Sequence, residues 1–242
     1  MSRLFSYLAI LLFGAVLLCV MPDLPRFGDP QAPAAQHVSD HYIEHAYHDT
    51  HTPNIVTVMI ADYRSFDTLG ETVVVFAAGL ACMLLLRPRR KTRHLPISAR
   101  KDSLIVDVVV RCIIPALQIF ALYVVFHGHY SPGGGFQGGA LLAGSVLLAR
   151  VALGQERSAS VFPAHLGTPF GIAGIILFVL VGLGGLNDGG SFLQYDHLPI
   201  NLPPDTLRNW GILLVEVGVA FAVMGTLISI FDDLVSGTDA TT

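Results

Sequence analysis

The chain has 242 residues, a formal net charge of −4 at pH 7 and a sequence pI near 6.2. Hydrophobic residues make up 52% of it and charged residues 13%, and the mean hydropathy is +0.61. The hydrophobic and charged fractions differ from those of a usual soluble domain, so a lipid bilayer is the expected environment of the chain. The negative net charge gives no indication of nucleic-acid binding.

Six apolar runs approach the length that a membrane-crossing helix requires, which is roughly 20 mainly apolar residues. They extend from Leu4 to Met21, Leu69 to Leu86, Leu104 to Phe126, Phe136 to Leu153, Pro169 to Leu186 and Leu207 to Phe231. The predicted fold class is therefore all-α, a polytopic membrane protein of about six transmembrane helices. The sequence "NIVTVMI", before the second run, is too short to cross and predicts a helical or re-entrant segment.

The first run has an alternative interpretation as a secretory signal, because Arg3 precedes it and an A-x-A-like "APA" follows at residues 32–34. We prefer a membrane span, since the run is longer than the apolar part of a usual signal. The three cysteines, Cys19, Cys82 and Cys112, all fall inside predicted spans. This favours small buried apolar residues over a disulfide framework or a set of cluster ligands.

Lysine and arginine concentrate between the second and third runs, in the sequence "RPRRKTRHLPISARK" at residues 87–101. Short loops rich in these residues stay on the cytoplasmic side of the membrane. Counting outward from this loop predicts that both termini are cytoplasmic. Residues 22–66, the loop between the third and fourth runs, and residues 187–206 are then expected outside.

The loop between the third and fourth runs contains "GHYSPGGGFQGG". The chain has no phosphate-binding P-loop, dinucleotide fingerprint or nucleophile elbow, so the triple glycine is not interpreted as a nucleotide motif. Glycine permits positive φ angles and close backbone approach. A tight or partly membrane-embedded connection between two helices would need both.

Ionisable residues at membrane depth cost about a few kcal/mol each, so they mark candidate ion or proton paths. Seven such candidates are Glu216, Asp67, Glu71, His127, His129, Asp107 and Arg111. Glu216 stands alone among apolar residues of the sixth run. It is either a proton-exchanging group or a carboxylate hydrogen-bonded in a subunit interface.

The other candidates also have a structural alternative. Asp107 and Arg111 are spaced i,i+4 and form either an ion pair near the cytoplasmic end or a group that tunes a proton path or contacts a neighbouring chain. Asp67 and Glu71 have the same spacing at the start of the second run, where Asp67 is alternatively a helix N-cap. The pair His127 and His129 either exchanges protons or is simply interfacial.

A row of histidines precedes the second run. Spacings of 4, 4, 3 and 3 residues would align His37, His41, His45, His48 and His51 along one side of a helix. The first four are weak candidates for a metal site. Because acidic residues are interspersed, a solvated helix is the preferred interpretation.

The region around the glycines resembles the B-type component of Mrp-type sodium/proton antiporters, the MnhB domain. The family pattern has an arginine and a proline in one helix, then Gly-His, then a Pro-Gly-Gly-Gly-Phe-Gln-Gly-Gly sequence before the next helix. The matching residues are Arg111, Pro115, Gly128, His129, Pro132, Gly133, Gly134, Gly135, Phe136, Gln137, Gly138 and Gly139. The sequence "VEVGVAFAVMGTLISIF" resembles the last helix of the family, which places Glu216 in its pattern. The resemblance covers roughly residues 102–235.

The sequence "NIVTVMIADYRSFDTLGETVVVFAA" is similar to the C-terminal end of the large A-type antiporter component and to the E-type component of membrane-bound hydrogenases. The resemblances divide the chain into an A-like two-helix region, a basic cytoplasmic linker, an MnhB-like four-helix domain and a tail. Their expected bounds are 1–90, 91–101, 102–235 and 236–242. This layout departs from a stand-alone B-type protein.

The resemblance implies a subunit of a multisubunit antiporter that exchanges Na⁺ or K⁺ for protons in a bacterial or archaeal cytoplasmic membrane. Its implied partners are the lipid bilayer and other membrane subunits, of A, C, D, E, F and G type. It implies no cofactor and no enzymatic activity in this chain. Two alternatives stay open: a membrane-arm subunit of a complex I-related redox complex such as a membrane-bound hydrogenase, and a scaffold without an ion role.

Overall fold

The computed structural model describes residues 2–86 and 103–238, and these residues form helices without a strand. The all-α prediction is confirmed. The chain divides into two compact units, Met1–Glu44 and His45–Thr242. The basic loop on which the predicted orientation depends lies outside the described residues.

The described helices are numbered in chain order. They are α1 Ser2–Val20, α2 Ser39–Thr50, α3 Ile55–Val58, α4 Ser65–Leu86, α5 Leu104–His127, α6 Gly135–Leu153, α7 Gln155–Ser158, α8 Gly167–Gly184 and α9 Pro204–Thr238. Short π-helical segments cover Ala34–Val38 and Met59–Tyr63, and 3₁₀ turns cover Met21–Asp23, Ala164–Leu166, Asn187–Gly189 and Tyr195–His197.

Six of the described helices are long and apolar enough to cross a membrane: α1, α4, α5, α6, α8 and α9. The predicted number of spans is confirmed. Helix α4 begins four residues before the expected Leu69, at Ser65. The segment "NIVTVMI" is helical as predicted, with α3 running on into the π-helical segment Met59–Tyr63.

Helix α1 belongs to the first unit, and none of its apolar stretch is buried there. Its large side chains, such as Phe5 and Leu11, are exposed along its length. A helix that is apolar all round is suited to lipid or to another membrane protein rather than to water.

The prediction that the three cysteines are buried is wrong, because Cys19, Cys82 and Cys112 are all exposed. They lie on helix faces that no other described part of the chain covers. A thiol behaves as a small apolar group, so a position facing lipid suits it as well as a buried one.

Helix α9 is the centre of the second unit. Within its apolar stretch 72% of residues are buried, whereas the other spans of this unit have 22–39% buried. It packs against α4, α6 and α8, while α5 packs mainly on α6. The side chains of Ile212, Val215 and Phe178 are fully enclosed at these contacts.

Small residues bring the helices around α9 into close contact. A Cβ atom added to Gly174 of α8 would lie 2.5 Å from the backbone nitrogen of Ala222 in α9. One added to Gly139 of α6 would lie 2.6 Å from the carbonyl oxygen of Ala220. Backbone-to-backbone packing of this kind holds membrane helices together where the hydrophobic effect cannot.

A buried ion pair joins the end of α6 to the end of α9. Nε of Arg150 lies 3.0 Å from Oδ1 of Asp232, and the arginine side chain is 2% exposed. Its other nitrogens donate to Ser158 Oγ at 2.9 Å and to the carbonyl oxygen of Phe162 at 2.7 Å. No local pattern in the sequence predicted this network.

The packing of α8 on α9 predicts that Gly174→Ala destabilises the protein by about 1–3 kcal/mol, because the added methyl group meets backbone atoms that cannot move aside. The matched control is Gly144→Ala, since a Cβ there meets no heavy atom within 4 Å. Thermal unfolding of both variants in detergent measures the effect. Equal unfolding temperatures for the two variants would contradict the packing described here.

Candidate functional site

Glu216 lies in the first half of α9 and is 5% exposed. Its Oε2 atom is buried and has no hydrogen-bond partner. Among the described residues, the only other buried side-chain nitrogen or oxygen without a partner is Nε2 of His129. No described lysine or arginine forms an ion pair with it. A buried carboxylate without a partner is costly to keep charged, which makes this position a candidate functional site.

The glycine loop, defined here as residues 128–135, encloses this carboxylate. A Cβ atom on Gly134 would lie 2.7 Å from Oε1 of Glu216, and one on Gly128 would lie 3.2 Å from Oε2. Gly134 also has a φ angle of +118°, which side-chain-bearing residues rarely adopt. The glycines therefore let the backbone itself form the wall around the carboxylate.

A small cavity adjoins the carboxylate of Glu216. About 20 Å³ of it is accessible to the centre of a water molecule, which is room for about one water. Its walls come from the glycine loop and the start of α6, from Val215 and Val219 of α9, and from Ile60, Ala61 and Thr68. The site thus draws on both the N-terminal region and the MnhB-like region of the predicted division.

His129 lies in the glycine loop and is 6% exposed. Burial lowers the pKa of its imidazole from the ordinary value of 6.5, and a hydrogen bond with the side chain of Asn209 opposes that shift. Nδ2 of Asn209 in turn donates to Oγ1 of Thr52 at 2.8 Å. His129 is therefore a neutral buried group at pH 7, connected to residues of the N-terminal region.

His127, the other histidine of the predicted pair, is the last residue of α5 and is only half-buried. Its ring stacks on that of Tyr123 in the preceding turn of α5, with ring centroids 4.6 Å apart. Only His129 of this pair is buried beside the glycines.

Asp67 and Glu71 are exposed on α4, whereas Thr68 and Thr72 of the same helix are buried. Asp67 lies in the first turn of the helix and pairs with Arg64, whose Nη2 is 2.5 Å from its carboxylate. The N-cap alternative for Asp67 is wrong, since α4 already begins at Ser65. The structure does not bring these two carboxylates into the Glu216 cavity.

Asp107 and Arg111 form the i,i+4 ion pair that their spacing indicated, with Nε 2.9 Å from Oδ2. Arg157 also lies 3.7 Å from Asp107. Both arginine side chains are more than half exposed, so this group is a polar patch at the start of α5 rather than part of the Glu216 cavity.

The predicted alignment of five histidines holds only in part. His41, His45 and His48 lie in α2, but His37 lies in the preceding π-helical segment and His51 follows α2 with a φ of 49°. His51 instead lies 2.5 Å from Asp205. In the part of the chain that the structure describes, no group of three or more residues is arranged to hold a metal ion.

One polar cluster near the site was not predicted from the sequence. Arg208 at the start of α9 hydrogen-bonds to Asp62 through Nε at 3.0 Å and lies 3.6 Å from Asp49. Tyr63 donates to Asp49 at 2.8 Å, and its ring lies beneath the guanidinium group of Arg208. Burial raises the pKa of Asp62, although Arg208 opposes that shift. An open pocket of about 430 Å³ adjoins this cluster.

The burial of His129 predicts a pH dependence. Because the folded state binds the imidazole proton less readily than the unfolded state does, the contribution of His129 to stability is complete above pH 6.5 and is lost as pH falls below it. Hydrogen–deuterium exchange at imidazole C2, followed by mass spectrometry, should give His129 a midpoint below 6.5. A midpoint at or above the value measured for the denatured protein would contradict its burial.

Comparison with protein families gives two matches. A family model described as "Domain related to MnhB subunit of Na+/H+ antiporter" matches residues 105–229. A second model, which describes the E-type component of MBH, matches residues 26–103.

Two relatives differ in how much of their length the chain spans. The B component of the Na(+)/H(+) antiporter of Bacillus subtilis is 30% identical over 136 residues, which are 53% of this chain and 94% of that protein. The A/B component of a probable K(+)/H(+) antiporter of Rhizobium meliloti is 25% identical over 229 residues, which are 82% of this chain but only 22% of the relative.

Two solved structures share the fold. A chain in the structure of the Mrp complex from Dietzia sp. superimposes with a TM-score of 0.66 and 26% identity, covering 100% of this chain and 26% of that chain. A chain of the membrane-bound sulfane sulfur reductase, an archaeal respiratory membrane complex, gives a TM-score of 0.61 and 26% identity, covering 97% of this chain and 98% of that one. The chain is a multi-pass membrane protein that belongs to the family of domains related to the MnhB subunit of Na⁺/H⁺ antiporters.

Proposed function

We propose that this chain is a non-enzymatic subunit of a multisubunit monovalent cation/proton antiporter, and that Glu216 exchanges protons within that complex. Its relatives include components named for Na⁺/H⁺ and for probable K⁺/H⁺ antiporters, so the proposed cation is Na⁺ or K⁺. The proposed partners are membrane subunits of the A, C, D, E, F and G types. We also propose that the chain divides into the four regions predicted above, with bounds 1–90, 91–101, 102–235 and 236–242.

The buried carboxylate of Glu216 is the observation that carries this proposal. A charge taken out of water costs several kcal/mol unless a counter-charge compensates it. No described lysine or arginine pairs with Glu216, and we propose that a proton or a bound cation fills that role. A group whose charge depends on such an occupant can couple proton movement to cation movement.

The exposed face of α4 supports an assembly around this chain. Asp67 and Glu71 lie on that face, and carboxylates that face lipid at membrane depth are costly. A neighbouring subunit that covers the face would relieve this cost. We propose that these two carboxylates contribute to an ion path at the subunit contact, while Asp107 and Arg111 form a structural pair.

The proposed orientation places both termini in the cytoplasm, because the basic loop 87–101 is expected there. The glycine loop then lies toward the outer end of the membrane. In this orientation Arg150 and Asp232 lie toward the cytoplasmic end, so the ion pair and the Glu216 site occupy opposite halves of the bundle.

A second candidate function is a membrane-arm subunit of a respiratory redox complex. The match to the E-type hydrogenase component over residues 26–103 favours this candidate. The superposition on a chain of the sulfane sulfur reductase, which covers almost the whole of both chains, favours it as well. Purification of the native complex separates the two candidates, because only the redox complex would retain iron–sulfur or nickel–iron subunits.

The proton role of Glu216 predicts that Glu216→Gln abolishes cation-driven proton flux in inverted vesicles that contain the whole complex. Glutamine keeps the size and hydrogen-bonding capacity of the side chain but cannot titrate. Flux should fall to the level of vesicles without the complex. Glu44→Gln, the same change on the exposed face of α2, is the matched control and should leave flux unchanged.

Assembly must be equal in the variants, which is checked by the amount of partner subunits that co-purify. If Glu216→Gln assembles normally and transports at the wild-type rate, Glu216 has no proton role. The chain would then be a scaffold of the complex.

A further inference from the structure

The glycine loop is held in place from outside the MnhB-like region, by Asn54. The backbone nitrogen of Asn54 donates to the carbonyl oxygen of His129 at 3.0 Å. Its Nδ2 atom lies 2.8 Å from the carbonyl oxygen of Gly128 and 2.9 Å from that of Ser131. One residue therefore binds the backbone carbonyls of three residues of the loop.

An asparagine is chemically suited to this position. Its Oδ1 atom accepts a hydrogen bond from the backbone nitrogen of Val56 at 3.1 Å and so caps the start of α3. Its amide nitrogen remains available to donate to the loop. A carboxylate could keep the cap, but it has no hydrogen to offer to the loop carbonyls.

Thr57, one turn farther along α3, reinforces the contact. Its Oγ1 donates to the carbonyl oxygen of Gly128 at 2.7 Å, so this carbonyl receives two hydrogen bonds from the N-terminal region. Gly128 also faces the site, since a Cβ there would be 3.2 Å from Oε2 of Glu216. Gly128 is thus held at its carbonyl and adjoins the carboxylate at its Cα.

The rest of the loop is tied to α5 by its own backbone. Gly128 and Gly134 donate to the carbonyl oxygens of Val125 and Val124, at 3.4 Å and 3.1 Å. These two bonds hold the ends of the loop, and the amides of Tyr130 and Ser131 donate to the carbonyl oxygen of His127 at 3.0 Å and 3.1 Å. Asn54 adds donors to the carbonyl groups of the loop. Without Asn54 the carbonyls of His129 and Ser131 would have to find other donors, and the carbonyl of Gly128 would keep only Thr57.

We propose that Asn54 is a positioning residue, which fixes the glycine loop over Glu216 and so controls the access of water to that carboxylate. This rests on the proposed function, in which Glu216 exchanges protons. Asn54 lies within residues 26–103, the part matched by the E-type hydrogenase family, whereas the loop lies within residues 105–229. The Glu216 site is complete only when both regions are present.

Asn54→Asp tests the proposal most sharply. Aspartate keeps the size of the side chain and the helix cap, but it places a carboxylate against the carbonyls of Gly128 and Ser131. Asn201→Asp, the same chemical change at an exposed residue, is the matched control. Thr57→Val removes the second donor to Gly128 and the hydroxyl that accepts from Nδ2 of Asn54 at 3.0 Å, but it leaves Asn54 itself in place. It therefore serves as a milder variant if Asn54→Asp fails to assemble.

Two measurements on the purified complex separate a positioning role from a merely structural one. The first is hydrogen–deuterium exchange of the loop amides, which should accelerate about tenfold in Asn54→Asp on the loss of roughly one buried hydrogen bond. The second is deuterium exchange of the Glu216 carboxyl group itself, which is monitored through the shift of its infrared carbonyl-stretch band. That band is identified by its absence in Glu216→Gln. The carboxyl proton should exchange faster in Asn54→Asp than in Asn201→Asp.

The outcomes distinguish this inference from the proposed function. If the Glu216 band exists and exchanges at the wild-type rate in both Asn54→Asp and Thr57→Val, Asn54 does not control water access and the inference is overturned. Unchanged exchange of the loop amides would overturn it as well. If no carboxyl band is lost in Glu216→Gln at any pH, Glu216 never carries a proton and its proposed proton role is wrong. Faster exchange of the loop amides in Asn54→Asp would still show, in that case, that Asn54 fixes the loop.

Discussion

The contact between α6 and α9 at Glu216 is the constraint on which the rest of the structure depends. The start of α6 approaches so closely that a Cβ on Gly135 would overlap the backbone carbonyl of Glu216. Such an approach requires glycine at the first turn of α6, and it leaves one side of the Glu216 carboxylate enclosed by backbone. The glycine-rich connection and the isolated carboxylate are therefore two parts of one arrangement.

The N-terminal region completes this arrangement. Its residues Ile60, Ala61 and Thr68 line the cavity beside Glu216, and Asn54 fixes the loop that covers it. The phenol of Tyr195 donates to the carbonyl of Ala61 at 3.0 Å, which ties the same segment to the turn before α9. A chain that carries both regions therefore brings its own covering segment to the Glu216 site.

Much of the fold could be predicted from the sequence, because a membrane span is recorded locally as a long apolar run. The burial of Glu216 was predictable for the same reason. The partners of buried polar groups were not, since Arg208 pairs with Asp62 across 146 residues and Arg150 with Asp232 across 82. Only packing brings such residues together, and no local pattern records it.

The cysteines show a second limit of sequence analysis. In a soluble helix the apolar face identifies the core, but a membrane helix is apolar on both its lipid side and its packed side. Hydropathy therefore could not tell that Cys82 and Cys112 are exposed. The role of Asn54 was hidden in a similar way, because its partner Gly128 lies 74 residues farther along the chain.

The most direct test of the account is the release of protons from the purified complex in detergent when Na⁺ or K⁺ is added in weak buffer. If Glu216 gives up its proton as the cation binds, the complex with Glu216→Gln should release one proton fewer per copy of the chain than the wild type. Equal release from the two complexes would contradict the account, because the titrating group would then lie in another part of the complex.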